Sequence, residues 1–180
     1  SSGKGLNEIF ASLGAEIIEG GQSMNPSTES ILSAVEKTGA QDVIILPNNK
    51  NIILTAEQVK SLSSKNIHVL PTKSIPQGIS ALLAFNPDSS LEENVSNMSQ
   101  SINNVISGEV TYAVRDTKYN GTEIKEGDIL GIKDGQLEIV GENTEEVIIK
   151  LIERMTEGKD EGIITIYYGS DIEEATVEKT

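Results

Sequence analysis

Four stretches of the chain gather side chains able to hold an anion or a polar partner: Ser1 to Gly5, Gly20 to Thr28, Pro47 to Asn51 and Pro71 to Gln77. All four are rich in Ser, Thr, Asn, Gln and Gly and poor in carboxylates. The chain as a whole has 28 Asp and Glu against 14 Lys and Arg, a formal charge of −14. In the second stretch Gln22, Ser23, Asn25, Ser27 and Thr28 surround Pro26. Asn25 suits an N-cap and Pro26 the first helical position, because its fixed φ fits there and its missing N–H would have had no helical partner. Hydroxyls beside the free N–H groups of a first helical turn can hold a carboxylate or phosphate. The same residues also make an ordinary helix start after a glycine turn, and that plainer reading stands beside the first. The third stretch sets Asn48 and Asn49 beside Lys50, and the fourth places Lys73, Ser74 and Gln77 between or beside the prolines Pro71 and Pro76. Each fits an anion site, a surface met by another protein, or a solvated turn.

Groups that break bonds are scarce. There is no cysteine, so thiol nucleophiles, disulfides and Cys-based zinc sites are excluded. The one histidine, His68, lies between apolar neighbours and reads as a packed or rim residue rather than a base. No Walker phosphate loop is present, and "GKG" at Gly3 to Gly5 is too short to be one. The pairs Glu92-Glu93, Glu145-Glu146 and Glu173-Glu174 fall at helix starts, where negative charge complements the dipole, and they make no metal site. No catalytic residue is expected. The acidic balance repels nucleic acid and anionic lipid, and no apolar run approaches the roughly 18 residues that cross a bilayer. Nucleic-acid binding and membrane insertion are therefore not expected. With no signal peptide to read and no cysteine, the expected location is the cytoplasm.

The elements that must position these loops follow from periodicity. Leu6, Ile9, Phe10 and Leu13 mark one face of a helix that Gly14 closes. Short apolar strands are expected at Ala15 to Ile18, Asp42 to Leu46 and Ile67 to Leu70. Helices are expected from Pro26 to about Thr38, from about Ile52 to Ser61, and from near Ile75 with Ile79, Leu82 and Leu83 inward. Alternating short strands and helices imply an open, mostly parallel sheet with flanking helices over residues 1–86, its first strand lying upstream of Ser1. Ligands of such sheets sit beyond the carboxyl ends of the strands, where the polar loops fall. Residues 87–108 read as one long connecting helix carrying Leu91, Val95, Met98, Ile102 and Val105, able to pack across a domain junction.

Residues 109–180 read as a smaller α+β domain, cut short at the C-terminus. Its strands are expected at Glu109 to Arg115, Gly127 to Lys133 and Gln136 to Val140, with turns at Asn120-Gly121 and Asp134-Gly135. "RDTKYNGTEIKEGD", Arg115 to Asp128, reads as an exposed turn of mixed charge. A helix opens at Asn143 to Glu146 in capping-box style, Gly162 to Tyr168 has the composition of a buried strand, and a last helix opens at Ser170.

Four motifs, "GGQSMNPSTESI", "ILPNNKNI", "LPTKSIPQGISALLAFNP" and "SGEVTYAVRDTKYNGTEIKEGDILGIKDGQL", together resemble the C-terminal region of the large kinase subunit of bacterial fatty acid kinase. That subunit carries a dihydroxyacetone-kinase-like catalytic domain at its N-terminus. The order of polar loops, the hairpin "IKDGQLEI" and "GIITIYYGSDIEEA" is also similar to the DegV-like fatty-acid-binding proteins, the other subunit of the same enzyme. There a Thr/Ser-Gln-Pro-Ser loop and a later Ser-Gly loop hold the acyl carboxylate. Here Gly21 to Ser27 stands at the first position, with Met24-Asn25 intervening, and Pro47 to Asn51 replaces the Ser-Gly pair. The resemblance implies a DegV-like fold turned from holding lipid to docking the lipid-carrying subunit, with a place in phospholipid metabolism. It further implies no catalysis and no cofactor in this region, since ATP and magnesium belong to the N-terminal domain. The expected partners are the other domains of the parent chain and the DegV-like fatty-acid-binding subunit. The alternative is a ligand-binding module that holds an acyl chain or small anion at the polar loops.

Overall fold

The computed structural model describes residues 4–18 and 25–169. The chain is a mixed α/β protein of two compact units, Ser1–Val105 and Ile106–Thr180. The first contains α1 (Lys4–Ser12), α2 (Thr28–Lys37), β1 (Asp42–Ile45), α3 (Lys50–Val59), β2 (Asn66–Val69), α4 (Ile75–Leu83) and α5 (Leu91–Asn103). The second contains β3 (Gly108–Tyr112), β4 (Thr117–Tyr119), β5 (Thr122–Ile124), β6 (Ile129–Lys133), β7 (Gln136–Gly141) and α6 (Thr144–Thr156).

In the first unit β1 and β2 pair in parallel, Val43 opposite Ile67 and Ile45 opposite Val69. Successive side chains of a strand point to opposite faces, so this two-stranded sheet feeds two cores. Ile45, Ile67 and Val69 pack with Ile31 and Val35 of α2 and with Ala56 and Val59 of α3. Ile44, Leu46 and Leu70 pack with Ala81 of α4 and Met98 and Ile102 of α5. Helices therefore cover both faces, which is why Val43 to Leu46 reads as an unbroken apolar run and Ile67 to Leu70 is interrupted only at His68.

Among the described residues, parallel pairing is confined to those two strands, short of the larger open sheet expected from the sequence. Ala15 to Ile18 forms no ladder; Ile18 packs against the first core through its side chain without its backbone joining β1. The connecting helix ends earlier than expected, at Asn103, and packs on α4 within the first unit. Leu83, placed inward by periodicity, lies in the last turn of α4 and is exposed.

The second unit has an antiparallel sheet in the order β3-β6-β7 and a separate hairpin β4-β5. Asn120-Gly121 and Asp134-Gly135 turn the hairpins with φ of 48° and 89°, and 48° and 81°, the left-handed pair that two-residue hairpin loops require. Helix α6 covers one face through Val147 and Leu151, which pack on Ile139. It starts as expected, Asn143 Oδ1 accepting from Glu146 N–H at 3.0 Å. Residues 161–169 carry no regular structure, and Ile163, Ile164, Ile166, Tyr167 and Tyr168 are exposed, against the expectation of a buried strand. That segment has no ladder partner here, and composition cannot supply one. The helix expected from Ser170 lies outside the described residues.

Candidate functional site

Two of the polar loops meet. The parallel pairing of β1 and β2 delivers the 46–50 and 70–74 segments to the same sheet edge, where α3 and α4 begin. Asn49 caps α3, its Oδ1 accepting from Asn51 N–H at 2.9 Å. Ser74 caps α4, its Oγ accepting from Gln77 N–H at 3.4 Å, and Gln77 turns back so that its Oε1 accepts from Lys73 N–H at 2.7 Å. Pro76 fits the first turn, where a backbone N–H is not needed.

Asn48 joins the loops. Its backbone sits at φ 56°, in the left-handed region that Asn tolerates better than most residues. Its N–H donates to Thr72 Oγ1 at 2.9 Å, and Thr72 is fully buried. Its side chain lies directly against the bare Cα of Gly78, and Oδ1 is buried without a hydrogen-bond partner. Thr72 and Gly78 were not legible as site residues. A glycine within the apolar face of α4 was the one available signal, since it marks a close approach.

The rim thus presents the first turns of α3 and α4, with the exposed Lys50 and Lys73 at its margin. No carboxylate occurs from Leu46 to Ala56 or from Leu70 to Pro87. An anion or an acidic surface meets helix N-termini and two lysines there, and no like charge from these segments.

The described part of the second polar stretch, Asn25 to Thr28, does not join this rim. Gln22 and Ser23 lie outside the described residues. Asn25 is exposed and is not the cap; Ser27 is, its Oγ accepting from Ser30 N–H at 3.1 Å, so α2 begins two residues later than expected. Ser27 wins because its extended backbone and short hydroxyl satisfy the first turn directly, leaving Pro26 in the approach. Thr28 Oγ1 is bonded to Gln58 Oε1 at 3.0 Å, near the far end of α3. At a rise of about 1.5 Å per residue that is roughly 12 Å along the helix from Lys50.

A shallow depression of about 510 Å³ lies along α2, lined by Glu16, Glu29, Ser30, Ser33 and Lys37 among others. Its mixed charges and open shape suit water better than an acyl chain. His68 pairs with Ile44 in the β1-β2 ladder and stands apart from any acid-base partner among the described hydrogen bonds and ion pairs. No group of three or more metal-ligating side chains occurs among the described residues.

Fold and loops together define a domain of parallel and antiparallel α/β units that presents a carboxylate-free rim. The chain belongs to the family of FakA-like fatty acid kinase subunits, C-terminal region, whose model matches residues 1–180. It is 47% identical to Protein YloV of Bacillus subtilis (strain 168), over 98% of this chain and 32% of that protein. It is 45% identical to an uncharacterized protein of Staphylococcus aureus (strain USA300), over 99% of this chain and 32% of the relative. The chain therefore spans about a third of the length of these curated relatives.

Proposed function

We propose that the chain is the non-catalytic C-terminal domain of a fatty acid kinase subunit. It docks the fatty-acid-binding partner protein and helps present that partner's acyl group to the N-terminal kinase domain, which binds ATP and magnesium. The reading is of a cytoplasmic, DegV-like domain whose former ligand edge has become a protein contact. Among the described residues no helix is long and apolar enough to cross a membrane.

The observation that supports this reading is the rim. Asn48 ties two helix starts together through Thr72 and Gly78, and the resulting surface carries lysines and no carboxylate in a chain of charge −14. Such a surface attracts an acidic patch on a partner in one orientation, while the rest of the domain repels it. The test is calorimetry of the domain with the fatty-acid-binding subunit. Saturable 1:1 heat is expected; no heat with the folded domain in excess removes the proposal. A thermal shift of the domain alone with fatty acid, and none with the partner, would assign the loops to a lipid instead.

A further inference from the structure

We propose that residues 162–168 are a strap that closes on the free edge of β3 as a fourth strand, giving the order (162–168)-β3-β6-β7. In the structure the strap is open. Ile163 is 96% and Ile164 57% exposed, and the seven residues from Gly162 to Tyr168 carry no charge. An uncharged run of Ile, Thr and Tyr has high strand propensity and is a hazard in water unless its backbone is paired. Among the described residues the sheet has two free edges, one on β3 and one on β7.

The geometry of α6 chooses between them. Its first half lies at the far end of β7: a Cβ on Gly141 would come within 2.8 Å of Val147. Its last turn lies at the opposite end, where Arg154 Nη1 donates to Glu138 Oε2 and Lys133 Nζ to the Arg154 carbonyl, each at 2.8 Å. The helix therefore runs antiparallel to β7. After Gly158, at φ 72°, the chain sets out from the end of the sheet where β3 and β7 both begin. Glu157 to Glu161 is a connection of ordinary length, and a strand that follows it runs parallel to both edges.

The hand of the crossover is fixed by which side of α6 each residue faces. Val147 and Arg154 lean toward β7, while Met155 lies over Gly108 of β3, its Sδ 2.5 Å from where a Cβ would be. Residues of a right-handed helix advance by about 100° each, so this arrangement puts β3 to the right of β7 when the sheet is viewed from α6 with β7 pointing up. A strand beyond β3 then completes a right-handed crossover, and one beyond β7 a left-handed one, which βαβ units almost never form. The same periodicity places the half-buried Ile148 and Ile152 on the β3 side of α6, overhanging the vacant position. Ile164, Ile166 and Tyr168, alternate residues of the strap, supply the apolar face that fits beneath them.

The test is hydrogen exchange on the full-length protein and on a Thr165→Pro variant, which removes an N–H from the middle of the strap. Closure predicts that amides in 162–168 and on β3 exchange on the order of tenfold or more slowly than in an unstructured peptide. The variant loses both protections and keeps that of α6, which reports that the unit still folds. The proposal is overturned if 162–168 exchanges freely in the wild type. Protection that survives Thr165→Pro overturns it too, as does protection found only at concentrations where light scattering reports a dimer, since the strap would then be pairing with a second copy.

Discussion

Asn48 and Gly78 occupy one another's space: the amide of Asn48 fills the position that a side chain on Gly78 would need, with Nδ2 2.7 Å from the site of a Cβ. The contact crosses from the loop after β1 to the first turns of α4, so the rim depends on the absence of a single methyl group. Gly78→Ala would force out either Asn48 or α4. Overpacking of this kind costs about 1–3 kcal/mol even though alanine is the better helix former. A lowered melting temperature is expected, with weaker partner binding beyond what the fraction unfolded explains; an unchanged melting temperature would mean that the loop gives way freely.

Thr72 serves the same junction from below. Thr72→Val keeps the shape and removes the Oγ1 that accepts the Asn48 N–H. A buried donor left without an acceptor costs about 1–3 kcal/mol. Thr72→Ser, which keeps the hydroxyl, should lose less. Urea denaturation of the three proteins orders them wild type, Ser, Val.

Lys50 and Lys73 are exposed and end in no ion pair among those described, so changing them leaves the fold alone. The double variant Lys50→Glu, Lys73→Glu is expected to bind the proposed fatty-acid-binding partner at least about tenfold more weakly, chiefly through a slower on-rate, and to lose the salt dependence of association. Surface plasmon resonance at two ionic strengths reads both effects. Equal binding at low salt would place the contact elsewhere on the domain.

Asn94 is a buried amide in the first turn of α5. Its Oδ1 accepts from Asn86 N–H at 2.7 Å and its Nδ2 donates to the carbonyls of Asn86, Ser89 and Ser90. It organises the turn that brings α5 back onto α4. Asn94→Ala strands several of those groups and is expected to destabilise the first unit by about 2–4 kcal/mol, read as a shift in denaturation midpoint at constant slope. Asn94→Asp keeps the acceptor and loses the donors, and should fall between.

How much of this was legible depended on how local each cause is. The cap at Asn143, the start of α4 near Ile75 and the turns at Asn120-Gly121 and Asp134-Gly135 follow from residues within three or four positions of each other, and the structure has them where the sequence placed them. The helix start at Ser27 was missed by two residues, because Asn25-Pro26 and Ser27 are both good local solutions and only the cap geometry separates them. Ala15 to Ile18 and Gly162 to Tyr168 have strand composition, but a strand exists only with a partner, and pairing is not local. The same holds for Thr72, whose role is set by a residue 24 positions away. The loops at 47–51 and 71–77 could be picked out from composition; that they meet, and that Thr28 is instead bonded near the far end of α3, could not.

The Thr28–Gln58 hydrogen bond gives that last point a mechanical meaning. Force applied at Thr28 is delivered to the tail of α3, whereas force applied to the rim enters at the head of α3 and through Asn48 into α4. The two act at opposite ends of one helix. Perturbations at Thr28 and at Asn48 should therefore add in a double-mutant cycle, to within about 0.5 kcal/mol, so that the Thr28 contact can change without retuning the rim.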